Sequence, residues 1–521
     1  MDNLKEHFIK PLDEYIAKAR KICDHVGYDQ IAYTLIRLIN NSKCEAKCFT
    51  SVEQLANMYE YAHRNTERDA YQAMEATVHN LCTLASRAGA QVPFSSLNLG
   101  TCTSLEGRMV TRNLLLAVEA GLGYGETAIF PISIFKLKKG VNRAPGDPNY
   151  DLKKLALRVT AKRLFPNFLN LDAPYNLKYY KVGRPETEVT AMGCRTRTIS
   201  NIHDPSKEQV TGRGNLFFTT INLPYLALEV KQEAKDGDDI VSLFFNRLEE
   251  RLNDVVNLSM DRFNLIAKRK AKNYPFLMGQ HLYVGSDDLH PDDSIGEVIK
   301  HGSMTAGFIG LAETLVVLTG KHHGESAEAQ ALGLKIVKYM NDFMTEVSER
   351  TKLNFGVMGS PAEGCSGRLL RLTRKKFGTI EGVTDKDYLT NSFHVPVAMQ
   401  LSAWDKIQIE APYHQYCPAG HISYLELDAD AVSNLDALET IVDTMCDNNM
   451  GYFAINHPVD RDPVCGYVGY FPDGVCPRCG RREGEGVPVS KLLSLRSYSP
   501  DPQYDARRES SAPTATLNLV E

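Results

Sequence analysis

Two cysteines stand three positions apart in Cys476-Pro-Arg-Cys479, on a turn that closes at Gly480. A knuckle of this kind lets both thiolates reach one tetrahedral ion. Upstream, Cys465-Gly466-Tyr467 looks like the closing half of a second knuckle. Its opening cysteine would stand at position 462, where the chain carries Asp462. Cys465, Cys476 and Cys479 are therefore the expected metal ligands. His457 is taken as the fourth, with Asp462 and Cys446 open as alternatives. Sulfur-rich tetrahedral sets favour Zn2+. A closed site organises the chain end and does no chemistry. The competing readings are a chance turn or a redox pair.

A second stretch, Ser360 to Arg368, is rich in small residues and leads into a helix-like run. Exposed backbone N–H groups at a helix start bind phosphate, so Ser366, Gly367 and Arg368 are candidate phosphate-binding residues. His394 and His421 are read as structural. His322-His323, before Gly324, reads as a surface corner between a helix and a loop.

The elements that must position these residues follow from periodicity. Leu12, Ile16, Ala19, Ile22 and Val26, then Ile31, Leu35 and Leu38, recur at helical spacing. Asn65 to Ser86 reads as a helix with Asn65 as N-cap. Helical runs are also expected at 108–120, 152–165, 242–269, 327–350 and 435–450. Short apolar or alternating runs at 92–99, 128–135, 216–223, 276–278 and 353–358 read as strands. Alternation of strand and helix implies an α/β domain with a large sheet or barrel.

Composition narrows the function. The chain has 521 residues, 43% hydrophobic and 24% charged, with a formal net charge of −5. No basic excess is present to neutralise a nucleic-acid backbone, so no nucleic-acid partner is expected. The start, Met1 to Glu6, has no apolar signal-like region, and no run of about 18 apolar residues occurs. No membrane association is expected, and the location is read as cytoplasmic. There the twelve cysteines stay reduced and mostly buried.

Several stretches together resemble the anaerobic (class III) ribonucleotide reductases. They are His79 to Ser96, Gly125 to Pro131, Met192-Gly193-Cys194-Arg195-Thr196-Arg197, Gly212 to Leu216, Ser360 to Arg368, Tyr388 to Pro396 and Asn456 to Cys465. They run in order over roughly four-fifths of the chain. The resemblance implies a ten-stranded α/β barrel of two half-barrels, with a loop through its centre that carries the catalytic cysteine. It implies reduction of ribonucleoside triphosphates to deoxyribonucleoside triphosphates by radical chemistry, for DNA replication. Cys194 is then the thiyl residue, and Gly193 gives its loop the freedom of a tight tip. Met192 and Asn215 correspond to residues near substrate and formate, with Asn222 the neighbour open to confusion with Asn215. Glu363 corresponds to a carboxylate that assists loss of the 2′-hydroxyl as water. The plainer readings are a buried structural Cys194, a packing Met192, a turn residue Asn215 and a helix-start charge Glu363. The implied substrate triphosphate would dock on Ser366, Gly367 and Arg368.

The implied partners are a radical S-adenosylmethionine activase with a [4Fe–4S] cluster, nucleoside-triphosphate effectors, formate as reductant and a second copy in a homodimer. Three departures matter, the first being the missing cysteine of the zinc module, where Asp462 stands. The N-terminal region is short for the family, with no room for an ATP-binding regulatory domain. Cys102 is the one residue that might have replaced a second active-site cysteine there, and it is not expected to. The family's Arg-x-x-Gly-Tyr radical motif is not found: the region reads Arg496-Ser497-Tyr498. Gly466, before Tyr467, is the only local match. The radical is otherwise lost or held by a small glycyl-radical partner. The alternative function is an inactive or split paralogue that binds nucleotides or assembles with a complete reductase. A different glycyl-radical enzyme, such as a lyase, is the weaker reading. The expected division is a helical segment over 1–88, the catalytic barrel over 89–450, a zinc module over 451–488 and a flexible tail over 489–521.

Overall fold

The computed structural model describes residues 52–85, 91–123, 125–193, 195–198, 200–362, 364–428, 430–482 and 485. The helical readings before residue 52 and the tail after 488 lie outside them. Helix α1 (Val52–Thr83) starts well before Asn65, so Asn65 is an interior helical residue and not a cap. Strand β1 (Ser96–Leu99), α2 (Leu105–Ala120), β2 (Ile132–Leu137), α3 (Tyr150–Arg163) and β3 (Asn167–Asn170) follow as parallel crossover units. The second run is β4 (Asn215–Asn222), α4 (Leu223–Glu233), α5 (Ile240–Ala267), β5 (Ser303–Ile309), α6 (Leu311–Thr319), α7 (Ala327–Thr351), β6 (Asn354–Gly359) and α8 (Ser366–Phe377). Then come α9 (Ala403–His414), β7 (Ser423–Glu426), α10 (Leu435–Asp447) and β8 (Tyr452–Asn456). The short strands β9 (Asp460–Arg461) and β10 (Val468–Gly469) form an antiparallel ribbon.

The expected ten-stranded barrel is not what the described residues form. They form a five-stranded sheet, β1-β2-β3-β8-β7, and a three-stranded parallel sheet, β4-β5-β6. Single-residue bridges connect the two. Met358 pairs with Gly420, and Gly420 with Thr196. Isolated bridges lack the ladder that would make them strands. The expected strand at 276–278 is a turn. Strand β8, placed by the sequence division at the head of the zinc module, lies between β3 and β7 in the larger sheet.

Burial explains the layering. Every residue of β2, β3, β5 and β6 is buried, as in parallel strands covered on both faces. One face of the larger sheet packs under α1, α2, α3 and α10 through Leu115, Leu157, Phe168, Val442 and Phe453. Its other face meets Val189 and Ala191 through Ile134, Leu169 and Tyr452. The smaller sheet packs against α4, α5 and α7 through Phe244, Leu248, Phe308, Met340 and Val357. Helix ends are set by side-chain caps. Ser104, Asp239, Ser326 and Asn434 each accept a first-turn N–H, an arrangement that contributes about 1 kcal/mol each.

Four histidines lie buried where the two halves meet. His323 bonds Phe393 O at 2.9 Å and His394 bonds Ile422 O at 2.7 Å. His414 bonds Ser423 Oγ at 2.9 Å, and its Nδ1 accepts the Gly451 N–H at 3.1 Å. His421 bonds Cys417 O at 2.9 Å. The expected surface corner at His322-His323 is therefore half interior, since His323 is 2% exposed. Burial pushes His414 down to about 3 and His323 down to about 4, and lowers His394 and His421 as well.

These groups bind protons more weakly folded than unfolded, where histidine titrates near 6.5. Their neutral form favours the fold fully above about pH 6.5, and that contribution is lost as pH falls toward the folded values. At pH 5 the loss is about 2 kcal/mol each for His414 and His323. Denaturant unfolding is expected to show a steep fall in stability between pH 6.5 and 5, blunted in His414→Gln. A flat profile over that window would contradict this account.

Candidate active site and metal cluster

The segment around position 194 is held from both sheets. The Met192 N–H donates to Thr196 O at 2.6 Å, which closes a tight turn. Gly193 has φ +60°, and a Cβ there would stand 2.5 Å from Phe94 Cε1. Only glycine fits both conditions. From the larger sheet, Ser96 Oγ accepts the Gly193 N–H at 3.2 Å, and Tyr452 donates its hydroxyl to Gly193 O at 3.2 Å. From the smaller sheet, fully buried Arg195 donates to Ser360 O at 2.9 Å. Ser360 Oγ in turn bonds Thr220 Oγ1 at 2.7 Å. Cys194 itself lies outside the described residues, as does Glu363. The described flanks clamp the turn at Gly193 on one side and at Arg195 on the other.

The structure brings two of the motifs together. A Cβ on Gly359 would meet Ser392 Cβ at 2.9 Å, and one on Gly367 would meet Asp387 O at 3.2 Å. Thr390 O accepts the Gly310 N–H at 2.9 Å. The 360–368 and 388–396 stretches are thus neighbours at the Ser360 end of the smaller sheet. Ser366 is buried in the first turn of α8, whose N-cap Cys365 makes no side-chain cap bond. Arg368 is exposed.

Asn215 is not brought to that end. It opens β4 in register with Ser303 and Asn354, with Nδ2 directed to Thr305 Oγ1 at 3.4 Å. It stands six positions before Ile221 along the strand, roughly 20 Å. Asn222 stands at the Ser360 end. It caps α4 through the Tyr225 N–H and donates to Thr373 Oγ1 at 3.0 Å. Cys102 lies six residues past Ser96, where its carbonyl accepts from Asn149. Sequence reasoning did not single out Ser96, Arg195, Ser360 or Tyr452. Ser96, Arg195 and Ser360 lay inside quoted motifs, but nothing in the letters announces a buried guanidinium bonded to a distant carbonyl.

The metal candidates converge. Ligand atoms of Asp462, Cys465, Cys476 and Cys479 lie within 4.8 Å of one another. The Cys465 and Cys476 sulfurs are 3.6 Å apart, close to the roughly 3.8 Å edge of a tetrahedron with zinc–sulfur bonds of about 2.3 Å. The two knuckles share one backbone pattern. Asp462 N–H donates to Tyr467 O and Gly466 N–H to Asp462 O, both at 2.9 Å. Cys476 N–H donates to Arg481 O at 2.8 Å and Gly480 N–H to Cys476 O at 2.9 Å. Gly466 and Gly480 have φ +73° and +74°.

Asp462 therefore occupies the place of a knuckle's opening cysteine. Burial alone would raise its carboxyl. The N–H groups of Cys465 and Val464, Cys479 Sγ and Arg481 outweigh burial and hold it well below the usual range. His457, the expected fourth ligand, is turned away: its Nε2 bonds Thr160 O at 2.9 Å. Cys446 is buried in the helical layer, and burial pushes its thiol up to about 12. Gly466, the candidate radical glycine, is the turn residue of the first knuckle.

Comparison with known proteins agrees in two stages. The mixed α/β fold resembles that of glycyl-radical enzyme barrels. An anaerobic ribonucleotide reductase aligns with TM-score 0.61 at 14% identity, covering 98% of this chain and 77% of its own. The Thermotoga maritima anaerobic ribonucleotide reductase with glycerol in its active site aligns with TM-score 0.56 at 15% identity, covering 87% and 69%. The B12-independent glycerol dehydratase of Clostridium butyricum aligns with TM-score 0.52 at 11% identity, covering 87% and 66%.

Sequence then narrows the class. Residues 10–490 match the model of the anaerobic ribonucleoside-triphosphate reductase family, and the chain belongs to that family. The Escherichia coli enzyme of that name is 33% identical over 450 residues, 85% of this chain and 60% of its own length. The enterobacteria phage T4 enzyme is 35% identical over 437 residues, 82% and 68%. The chain thus spans about three-fifths of the length of its bacterial relatives. Among the described residues, no helix is long and apolar enough to cross a membrane.

Proposed function

We propose that this chain is the catalytic part of an anaerobic ribonucleoside-triphosphate reductase. The observation that carries this reading is the turn around position 194, tied to one sheet through Ser96 and Tyr452 and to the other through Arg195 and Ser360. A hydrogen-atom abstraction needs one sulfur held at a fixed distance from a ribose C–H, and a doubly tethered turn supplies that rigidity. Cys194 takes the 3′-hydrogen, and Glu363 assists departure of the 2′-hydroxyl as water. The Ser360 end of the smaller sheet receives the substrate, with its triphosphate at Ser366, Gly367 and Arg368. Met192 flanks this space. Asn215 keeps the substrate- or formate-orienting role only if the base end of the nucleotide reaches the start of β4. The two sheets are read as half-barrels joined around this turn.

Asp462, Cys465, Cys476 and Cys479 hold a structural Zn2+ in this reading. Their donor set and spacing fit it, and the ion would supply cross-linking of the two knuckles. The remaining parts are formate as reductant, nucleoside-triphosphate effectors, a homodimer and a radical S-adenosylmethionine activase with a [4Fe–4S] cluster. By the resemblance, Arg496-Ser497-Tyr498 corresponds to the radical motif, with Ser497 in place of its glycine. That favours a second reading, in which a small glycyl-radical protein or a complete reductase supplies the radical to this barrel.

Anaerobic activation followed by electron paramagnetic resonance tests the proposal. A doublet split by an α-hydrogen, together with deoxyribonucleotide formation, is expected either from the chain alone or on adding the radical-bearing partner. Persistence of the doublet in Gly466→Ala would remove Gly466 as the radical site. Nucleotide binding with no turnover under both conditions would leave the inactive-paralogue reading standing.

A further inference from the structure

The first knuckle opens on a carboxylate where the second opens on a thiol, and the two need different partners. In the second knuckle the Cys476 sulfur receives the N–H groups of Arg478 and Cys479. In the first, Asp462 Oδ1 receives the equivalent pair, from Val464 at 2.6 Å and Cys465 at 3.0 Å. A sulfur is a single ligand atom, and those two bonds place it. A carboxylate has a second oxygen, for which the thiol pattern provides no donor. Asp462 is 1% exposed, so water does not serve that oxygen freely. A buried charged oxygen is costly unless it is paired.

Arg481, from the second knuckle, supplies the partner. Its Nε donates to Asp462 Oδ2 at 3.2 Å. Its Nη1 donates to Glu485 O at 2.6 Å, which anchors the guanidinium. Its carbonyl accepts the Cys476 N–H, and Tyr467 holds the same place in the first knuckle. The knuckle backbone therefore does not itself call for arginine there. Cys479 Sγ also lies 3.2 Å from Oδ2 and donates to it as a thiol. A cysteine ligand must lose that proton when metal binds. Thiolate and carboxylate then face each other as like charges, and Arg481 remains the cation bonded to the carboxylate.

We propose that Arg481 is a positioning residue for the metal, matched to Asp462: it pairs with Oδ2 and makes a carboxylate workable where the other knuckle uses cysteine. The proposal rests on the structural Zn2+ reading given above. A divalent cation with three thiolates and one carboxylate carries two surplus negative charges, and Arg481 offsets one of them. A thiolate at position 462 has no second oxygen to hold. The need for Arg481 therefore goes with Asp462 and not with the knuckle.

Zn2+ affinity of the reduced full chain, read by competition with a chromophoric chelator, tests this in two backgrounds. Arg481→Met keeps the side chain long and removes its charge and its donors. With Asp462 in place it is expected to weaken Zn2+ by about 10- to 100-fold. In the Asp462→Cys background it is expected to change the affinity by less than about two-fold. Co2+ supplies a second readout. With Asp462 in place, Arg481→Met is expected to shift the visible ligand-field bands and to leave the thiolate-to-cobalt charge-transfer band, since the three thiolates stay bound. Unchanged Zn2+ affinity on Arg481→Met, or equal losses in both backgrounds, would overturn the proposal. Loss of the charge-transfer band would overturn it too, because it marks a merely structural role. If Asp462→Cys does not fold, the cobalt spectrum decides. A parent chain that binds no Zn2+ overturns the zinc reading itself, and the proposal with it.

Discussion

Cys194→Ala is expected to leave a folded chain that binds nucleotide and reduces none of it. In the proposed reaction the abstracting sulfur has no substitute in the turn, because Met192, Gly193, Arg195 and Thr196 carry no other thiol. Loss of an obligatory covalent participant acts on the scale of about 10⁴-fold or more in turnover. Stability should change little. The turn is held by the Met192–Thr196 backbone bond, by Gly193 and by Arg195, none of which involves the Cys194 side chain in the bonds described. The measurement is deoxyribonucleotide formation after anaerobic activation, with unfolding and nucleotide binding run alongside. Turnover within ten-fold of the parent chain, on the scale set here, would remove Cys194 from the reaction. Loss of both folding and turnover would mean that the residue is structural.

The second large effect is expected at Asp462. Asp462→Ala removes one of the four proposed ligands and the acceptor of the Val464 and Cys465 N–H groups. Partners beyond the ligands cost roughly 10- to 100-fold in metal affinity. Loss of a ligand should therefore cost at least about 100-fold. Asp462→Cys should restore tight binding, since the two knuckles share one backbone geometry. His457→Ala should leave metal content unchanged, because its ring bonds Thr160 O. Metal analysis after dialysis against a weak chelator reads all three. Full metal content in Asp462→Ala, or loss in His457→Ala, would assign the fourth ligand to the histidine. Stripping the metal should also loosen the 460–482 segment, because binding energy in such modules is folding energy.

How far the letters led depends on the kind of signal. Helices α2, α3, α5, α7 and α10 were legible within a few residues, because each has one apolar stripe. The start of α1 was misplaced because Asn65 looks like a cap in isolation. Strand β5, Ser303-Met-Thr-Ala-Gly-Phe-Ile309, went unread. It is buried on both faces, so it shows neither alternation nor a helical stripe.

Three of the four clustered candidate ligands, Cys465, Cys476 and Cys479, followed from spacing. The fourth depended on which way the chain turns after Asn456. His457 points back to α3, while Asp462 reaches forward into the knuckle. The family resemblance named the turn at 192–197, but not the side chains that clamp it. Arg195 and Ser360 are 165 positions apart, and Gly193 and Tyr452 are 259 apart. Pairings of that range leave no local pattern. The resemblance gave Asn215 a role toward substrate or formate, and β4 sets it at the start of its strand, in register with Ser303.

The order of strands in the larger sheet also bears on how the chain is made. Phe168 of β3 pairs with Phe453 of β8. About 285 residues must leave the ribosome between them, on the order of 15–60 s at 5–20 residues per second. Through that interval β1, β2 and β3 can pair with one another, but the far edge of β3 has no strand to accept its hydrogen bonds. Such an edge invites pairing with other chains. The nascent protein is therefore most exposed to aggregation after β3 has emerged and before β8 has, so slowed translation in that stretch should lower its yield more than slowed translation elsewhere.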